Sequence, residues 1–125
     1  MKILVVDDDK SSQIVLSRIL QQVDPGHDVT TAADGEEALL ILQNPRQIFD
    51  VLFLDIEMPK VNGIQVLKTL HEKKPLFDRL KVIVCSSIGI KELKECLEFG
   101  AKHFIAKPPE RKTVEKKLRM ALAKP

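Results

Sequence analysis

Lys2-Ile3-Leu4-Val5-Val6-Asp7-Asp8-Asp9 follows the first methionine, and this stretch decides how the rest of the chain is read. The unbroken apolar run from Ile3 to Val6 is the mark of a strand covered on both faces, because a half-solvated strand would alternate apolar and polar residues. It ends abruptly in three carboxylates. Two further runs have the same form, Val51-Leu52-Phe53-Leu54 and Val82-Ile83-Val84-Cys85. Val29-Thr30-Thr31-Ala32 and His103-Phe104-Ile105-Ala106 bring the strands to five.

Helical periodicity fills the gaps between strands. Leu16, Ile19, Leu20 and Val23 share one face of a first helix; Ala38, Leu39 and Leu42 do so in a second, and Ile64, Leu67 and Leu70-His71 in a third. Leu93, Cys96 and Leu97 serve a short fourth, and Val114, Leu118, Ala121 and Leu122 a fifth. Asp9 is placed to cap the first helix, and Asp34, three residues before Glu37, has capping-box spacing for the second. Gly100 stands where the fourth helix needs a residue tolerant of positive φ. Pro25-Gly26, Asn44-Pro45 and Pro75 break the periodic segments. Strict strand–helix alternation with right-handed crossovers predicts an α/β fold, a doubly wound five-stranded parallel sheet with helices on both faces.

Composition agrees with one soluble core. The chain has 125 residues, 44% hydrophobic and 30% charged. Twenty basic against eighteen acidic residues leave +2, too small a charge to argue for nucleic acid or membrane as a partner. The balance is uneven, since residues 107–125 hold seven basic and two acidic side chains. No apolar run approaches the roughly 18 residues of a membrane span, and the opening residues do not form a signal peptide. Two cysteines make neither a disulfide framework nor a zinc site. His27, His71 and His103 have no ligand spacing and read as structural or exposed. The expectation is a cytoplasmic, reduced protein.

In an open α/β sheet, sites form beyond the carboxyl ends of the strands. The first strand is followed by Asp7, Asp8 and Asp9, and the third by Asp55-Ile56-Glu57-Met58-Pro59. The fourth runs into Ser86-Ser87 and the fifth into Lys107-Pro108. Carboxylates crowded into a dry pocket need a cation, and an all-oxygen donor set points to Mg²⁺ or Mn²⁺. A lysine and a small hydroxyl nearby would complete a phosphoryl site, where one carboxylate could attack phosphorus. Each residue alone has a plainer reading, as helix cap or solvated loop. Their convergence on one edge gives the functional reading its weight.

Those residues also carry a resemblance. Val5-Val6-Asp7-Asp8-Asp9 resembles the acidic segment of the receiver domains of two-component response regulators. Leu54-Asp55-Ile56-Glu57-Met58-Pro59 with Gly63 resembles their phosphoacceptor segment, and Gly100-Ala101 followed by Lys107-Pro108 resembles their ending. The resemblance covers essentially the whole chain, so residues 1–125 read as a single receiver domain. It implies a flavodoxin-like (βα)5 sheet in the order 2-1-3-4-5. It further implies that Asp55 takes a phosphoryl group from a sensor histidine kinase or phosphotransfer protein. Mg²⁺ would be held by Asp7, Asp8, Asp55 and the backbone carbonyl of Glu57, and Lys107 would reach the phosphoryl oxygens. Ser86 and Phe104 would be the switch residues, remodelling the face of the fourth helix, fifth strand and fifth helix for a downstream target or a fused output domain. Such a chain is no enzyme beyond its own phosphorylation and dephosphorylation, and it acts as a monomer or a phosphorylation-dependent dimer.

Some positions depart from that pattern or leave a choice. Counting back from Gly100 without a gap puts Cys85 at the switch position. Ser86 is preferred because Val82 to Cys85 form the apolar strand and the hydroxyl belongs just beyond it, with Cys85 in the core. Pro109 stands where an aromatic often follows Lys-Pro, and Phe104 lacks a phenol hydroxyl. Arg111, Lys112, Lys116, Lys117 and Arg119 form either a solvated face or a positive surface for an acidic partner helix or a second copy. Direct nucleic-acid reading is not expected, since no recognition element is left over. Two other classes fit the sequence less well. An aspartyl-phosphate hydrolase would need an Asp-x-Asp motif and a cap, and a flavin or nucleotide binder would need glycines in the first turn. Met1 directly before the first strand suits a natural start, and the end at Ala123-Lys124-Pro125 suits either a stand-alone receiver or an N-terminal piece.

Overall fold

The computed structural model describes residues 1–58, 61–87 and 90–123. Five strands, β1 (Lys2–Val6), β2 (Asp28–Ala32), β3 (Val51–Leu54), β4 (Lys81–Ser86) and β5 (His103–Ala106), are all parallel and pair in the order 2-1-3-4-5. Around them lie α1 (Lys10–Val23), α2 (Gly35–Leu42), α3 (Gly63–Glu72), α4 (Lys74–Phe77), α5 (Ile90–Glu98) and α6 (Arg111–Leu122). The expected fold class and strand order hold. Pro59 of the quoted acceptor segment and the terminal Lys124-Pro125 lie outside the described residues.

Alternation along the strands splits the core in two. Leu4, Val6, Leu52, Leu54 and Val84 face one layer with Ala38, Val66, Leu67 and Cys96. Ile3, Val5, Val51, Phe53, Ile83 and Cys85 face the other with Leu16, Leu20, Val114 and Leu118. Burial on both faces explains why β1 and β3 are unbroken apolar runs in sequence.

The helix starts follow local chemistry. Asp9 accepts from the Ser11 N–H at 3.1 Å and caps α1. Asp34 accepts from the Glu37 N–H at 2.8 Å, while the Glu37 carboxylate turns back to the Ala33 N–H at 3.1 Å, one residue short of a strict capping box. Asn62 and Gln65 form a full capping box on α3, a start that the apolar spacing of this helix does not mark. Gly100 has φ +88°, the left-handed conformation expected after the fourth periodic segment.

Four expectations need correction. The helices number six among the described residues, because Lys74–Phe77 forms one extra turn. Pro75 does not merely break the chain; it occupies the first turn of α4, where its missing N–H leaves no bond unmade. Leu97 and Leu122 are 56% and 39% exposed, so the apolar stripes of α5 and α6 are narrower than their spacing implied. Finally, Ser86 is the last residue of β4 and not the first beyond it.

Candidate functional site

Register brings the acidic residues together. Val6 pairs with Ala32 on one side and with Leu54 on the other, so β1 and β3 end level. Asp7 and Asp55 therefore emerge side by side where the strand order reverses, the place where open α/β sheets leave a crevice. The Asp7 N–H donates to the Ala32 carbonyl at 3.1 Å and the Asp55 N–H to the Val6 carbonyl at 3.0 Å, which fixes both Cα positions.

Asp7 and Asp55 are each 5% exposed, whereas Asp8 is exposed. Carboxylate oxygens of all three lie within 4.8 Å of one another. Lys107 enters from the end of β5. Its Nζ donates to Asp7 Oδ2 at 2.6 Å and to Asp55 Oδ2 at 3.3 Å. These are the only ion pairs among the described residues. Ser86 Oγ donates to Asp55 Oδ1 at 2.7 Å, and the Glu57 N–H reaches the same oxygen at 3.3 Å. Asp55 thus has a hydroxyl and an amide on one oxygen and an ammonium on the other.

The electrostatics follow from this packing. Burial raises the Asp55 pKa above its usual value, the Ser86 hydrogen bond and the Lys107 charge oppose the rise, and Asp7 adds to it. For Lys107, burial pulls the pKa down, but the hydrogen bond to Asp7 and the charges of Asp55 and Asp7 outweigh it and raise it. Lys107 is therefore fully charged at neutral pH. One ammonium among three carboxylates leaves the cluster short of positive charge. The donor set is all oxygen and one member is open to solvent, so it suits a hard divalent cation.

Every sequence-predicted carboxylate of the site lies in or beside it, as do Lys107 and Ser86. Glu57 is exposed and contributes its backbone N–H to Asp55. Phe104 is half-buried and pairs with Val84 in the β4–β5 register, with Ser86 two residues along β4 on the same face. Cys85 points to the opposite layer, among Ile83, Ile105 and Val114, and burial pushes its thiol pKa up to about 11. Geometry therefore puts Ser86, not Cys85, against Asp55.

One contributor has no signal in the sequence, and a second has a physical reason that only the structure supplies. Gln13 Nε2 donates to the Asp7 carbonyl at 2.6 Å and holds the turn between β1 and α1. Gly63 begins α3 against the acceptor loop: a Cβ there would collide with the Asp55 backbone carbonyl and lie 2.7 Å from Ile56 Cα. Its signal lay in the spacing from Asp55 to Gly63, whose physical reason is this contact.

Comparison with known proteins agrees with the geometry. The family model described as "Response regulator receiver domain" matches residues 3–119. The chain is 39% identical over 107 residues to the alkaline phosphatase synthesis transcriptional regulatory protein PhoP of Bacillus subtilis, covering 86% of this chain and 42% of that protein. It is 36% identical, with a TM-score of 0.87, to a chain in the crystal structure of the CheX–CheY–BeF3–Mg²⁺ complex from Borrelia burgdorferi, covering 99% of this chain and 90% of that one. Against the chemotaxis protein CheY4 of Vibrio cholerae, crystallised at low pH, identity is 31% and the TM-score 0.84, over 97% and 98% of the two chains. No helix among the described residues is long and apolar enough to cross a membrane. With its acidic crevice, its sheet order and a match over nearly its full length, the chain belongs to the response regulator receiver domain family of two-component signal transduction.

Proposed function

We propose that Asp55 accepts a phosphoryl group from the phosphohistidine of a sensor histidine kinase or phosphotransfer protein. The observation that carries this reading is the environment of one carboxylate. Asp55 is buried, with Ser86 on one oxygen and Lys107 on the other, and two further carboxylates lie within 4.8 Å. In the transfer, an Asp55 oxygen forms the new O–P bond as the N–P bond of the donor breaks, and the leaving imidazole nitrogen takes up a proton.

Asp7, Asp8 and Asp55 would hold Mg²⁺, or Mn²⁺ in its place, with the Glu57 backbone carbonyl as a further ligand. When bound, the cation would neutralise charge on the phosphoryl oxygens. Lys107 needs only to shift from Asp55 Oδ2 to a phosphoryl oxygen to stabilise the same charge. Residues 1–125 act as one receiver domain, in the cytoplasm, and its chemistry is confined to its own phosphorylation and dephosphorylation.

The signal leaves through Ser86. A phosphoryl group on Asp55 offers new acceptors to the Ser86 hydroxyl, which now donates to Asp55 Oδ1. Phe104, on the same face of the neighbouring strand, packs into whatever space that movement opens or closes. A small charge change thereby biases a two-state surface formed by α5, β5 and α6. The partner that reads it is a downstream protein or a fused output domain, and the receiver is a monomer or a phosphorylation-dependent dimer.

The test is intact mass after incubation with acetyl phosphate and Mg²⁺, with Asp55→Asn and metal-free samples alongside. A single phosphoryl adduct that needs both Asp55 and the metal supports the proposal. An adduct retained by the variant overturns it.

A further inference from the structure

A second concavity lies at the opposite pole of the sheet, where β4 and β5 begin. It encloses about 410 Å³ between the C-terminal ends of α3 and α6 and the first residues of those strands. None of the residues lining it belongs to the acidic site, and the proposed phosphorylation chemistry has no use for it.

Its floor and walls are apolar. Leu67, Leu70 and Ala101 are buried there, and Phe77 and Phe99 are half-buried. The His71 ring stands edge-on to Phe99, with centroids 6.1 Å apart at 61°, which extends the aromatic wall. The rim is cationic. Lys74, Lys81 and Lys102 are exposed around the mouth, and Asp78 is the single acidic residue among the described residues lining it. No carboxylate among the described residues forms an ion pair with these lysines. His103 sits half-buried inside the rim; burial first, and then the charges of Lys117, Lys102 and Lys81, push its pKa down. It is therefore neutral at physiological pH and can donate or accept one hydrogen bond.

An apolar basin under a ring of unpaired ammonium groups is complementary to one kind of molecule. An apolar body gains by leaving water over Phe77 and Phe99. A negative group gains from the rim without first breaking an ion pair. The volume is near the lower end of the roughly 300–1,000 Å³ of small-molecule sites, which favours a compact occupant over a helix or an extended peptide. We propose that this basin is a binding site for a small amphipathic anion, a flat apolar body carrying a carboxylate, phosphate or sulfonate that meets Lys81 and Lys102.

The probe is 1-anilinonaphthalene-8-sulfonate, whose fluorescence rises on leaving water, with the uncharged N-phenyl-1-naphthylamine as its partner. Both are titrated into the folded chain at near-neutral pH and low salt, and the site is mapped by amide NMR. One saturable site per chain is expected, with shifts concentrated at Leu70, Phe77, Lys102 and His103. The double variant Lys81→Glu, Lys102→Glu changes only exposed side chains, so it keeps its fold while weakening sulfonate binding roughly tenfold or more. Asp78→Lys acts in the other direction and tightens binding. The neutral compound should bind less tightly than the sulfonate. Absence of saturable binding overturns the proposal, as do shifts located elsewhere, affinity unmoved by both charge variants, or equal affinity for the neutral compound.

Discussion

The Ser86 hydroxyl donates to Asp55 Oδ1 at 2.7 Å, joining the last residue of β4 to the residue that follows β3. One position earlier, Cys85 faces the opposite layer of the core. Two adjacent side chains on one strand thus have unrelated duties, and their substitution separates them. Ser86→Ala should keep the fold but reduce the NMR shift changes that phosphorylation or beryllofluoride induces across α5, β5 and α6. Cys85→Ala should leave those changes intact and lower stability by about 1 kcal/mol, the value of one buried group of that size. Reversal of the two outcomes would return Cys85 to the switch position.

Lys107 holds Asp7 and Asp55 together in the metal-free protein. Lys107→Met should destabilise it by about 1–3 kcal/mol, below the full penalty for a buried pair because the lysine side chain is 22% exposed. Millimolar Mg²⁺ should recover part of that loss by supplying the missing positive charge. Denaturant melts with and without Mg²⁺ measure both effects. An equal deficit in the two conditions would mean that the acidic residues do not take up the metal.

Asp8 is the exposed member of the cluster. Without metal, Asp8→Asn removes one of several like charges and should raise the melting temperature slightly. With Mg²⁺ at tenfold over its Kd, the parent chain should gain about 1.4 kcal/mol while the variant gains much less. A variant less stable than its parent in the absence of metal would contradict a crowded acidic crevice.

Acid should weaken the fold through its histidines. Burial and the neighbouring N-terminal charge hold the His27 pKa below its usual 6.5, with Asp24 opposing, and His103 is depressed by burial and three lysines. The unfolded chain then takes up protons first, so the stability due to the neutral rings is complete above about 6.5 and is lost as pH falls through the lower folded-state values. The raised Asp55 pKa acts in the opposite sense, favouring the folded state at low pH. Comparison of the parent with His27→Gln isolates the first effect. The slope of stability against pH below 6.5 should be shallower in the variant, and an unchanged slope would remove His27 from the account.

Much of this was legible in the chain because the strongest local signals coincide with the strongest structural constraints. Strands buried on both faces must be continuously apolar, so Ile3 to Val6 and Val51 to Leu54 stand out, and the carboxylates that follow them fall at the crevice. What stayed hidden depends on tertiary geometry. Leu97 fits a helical stripe by spacing, yet the narrow contact of α5 is filled by Cys96, fully buried beside it. The one-turn α4 is too short to show a period. Gln13 looks like any polar residue in a first helical turn until its amide is seen on the Asp7 carbonyl. Choosing between Cys85 and Ser86 required the register of β4, which a one-residue slip would invert.

Chemical trapping identifies which oxygen-bearing side chain forms the acyl phosphate. Borohydride reduces an aspartyl phosphate to homoserine, so reduction of the phosphorylated chain followed by peptide mass mapping locates it directly. A single homoserine is expected at position 55, formed only in the presence of Mg²⁺. Homoserine at position 7, 8 or 9, or at several positions at once, would contradict it.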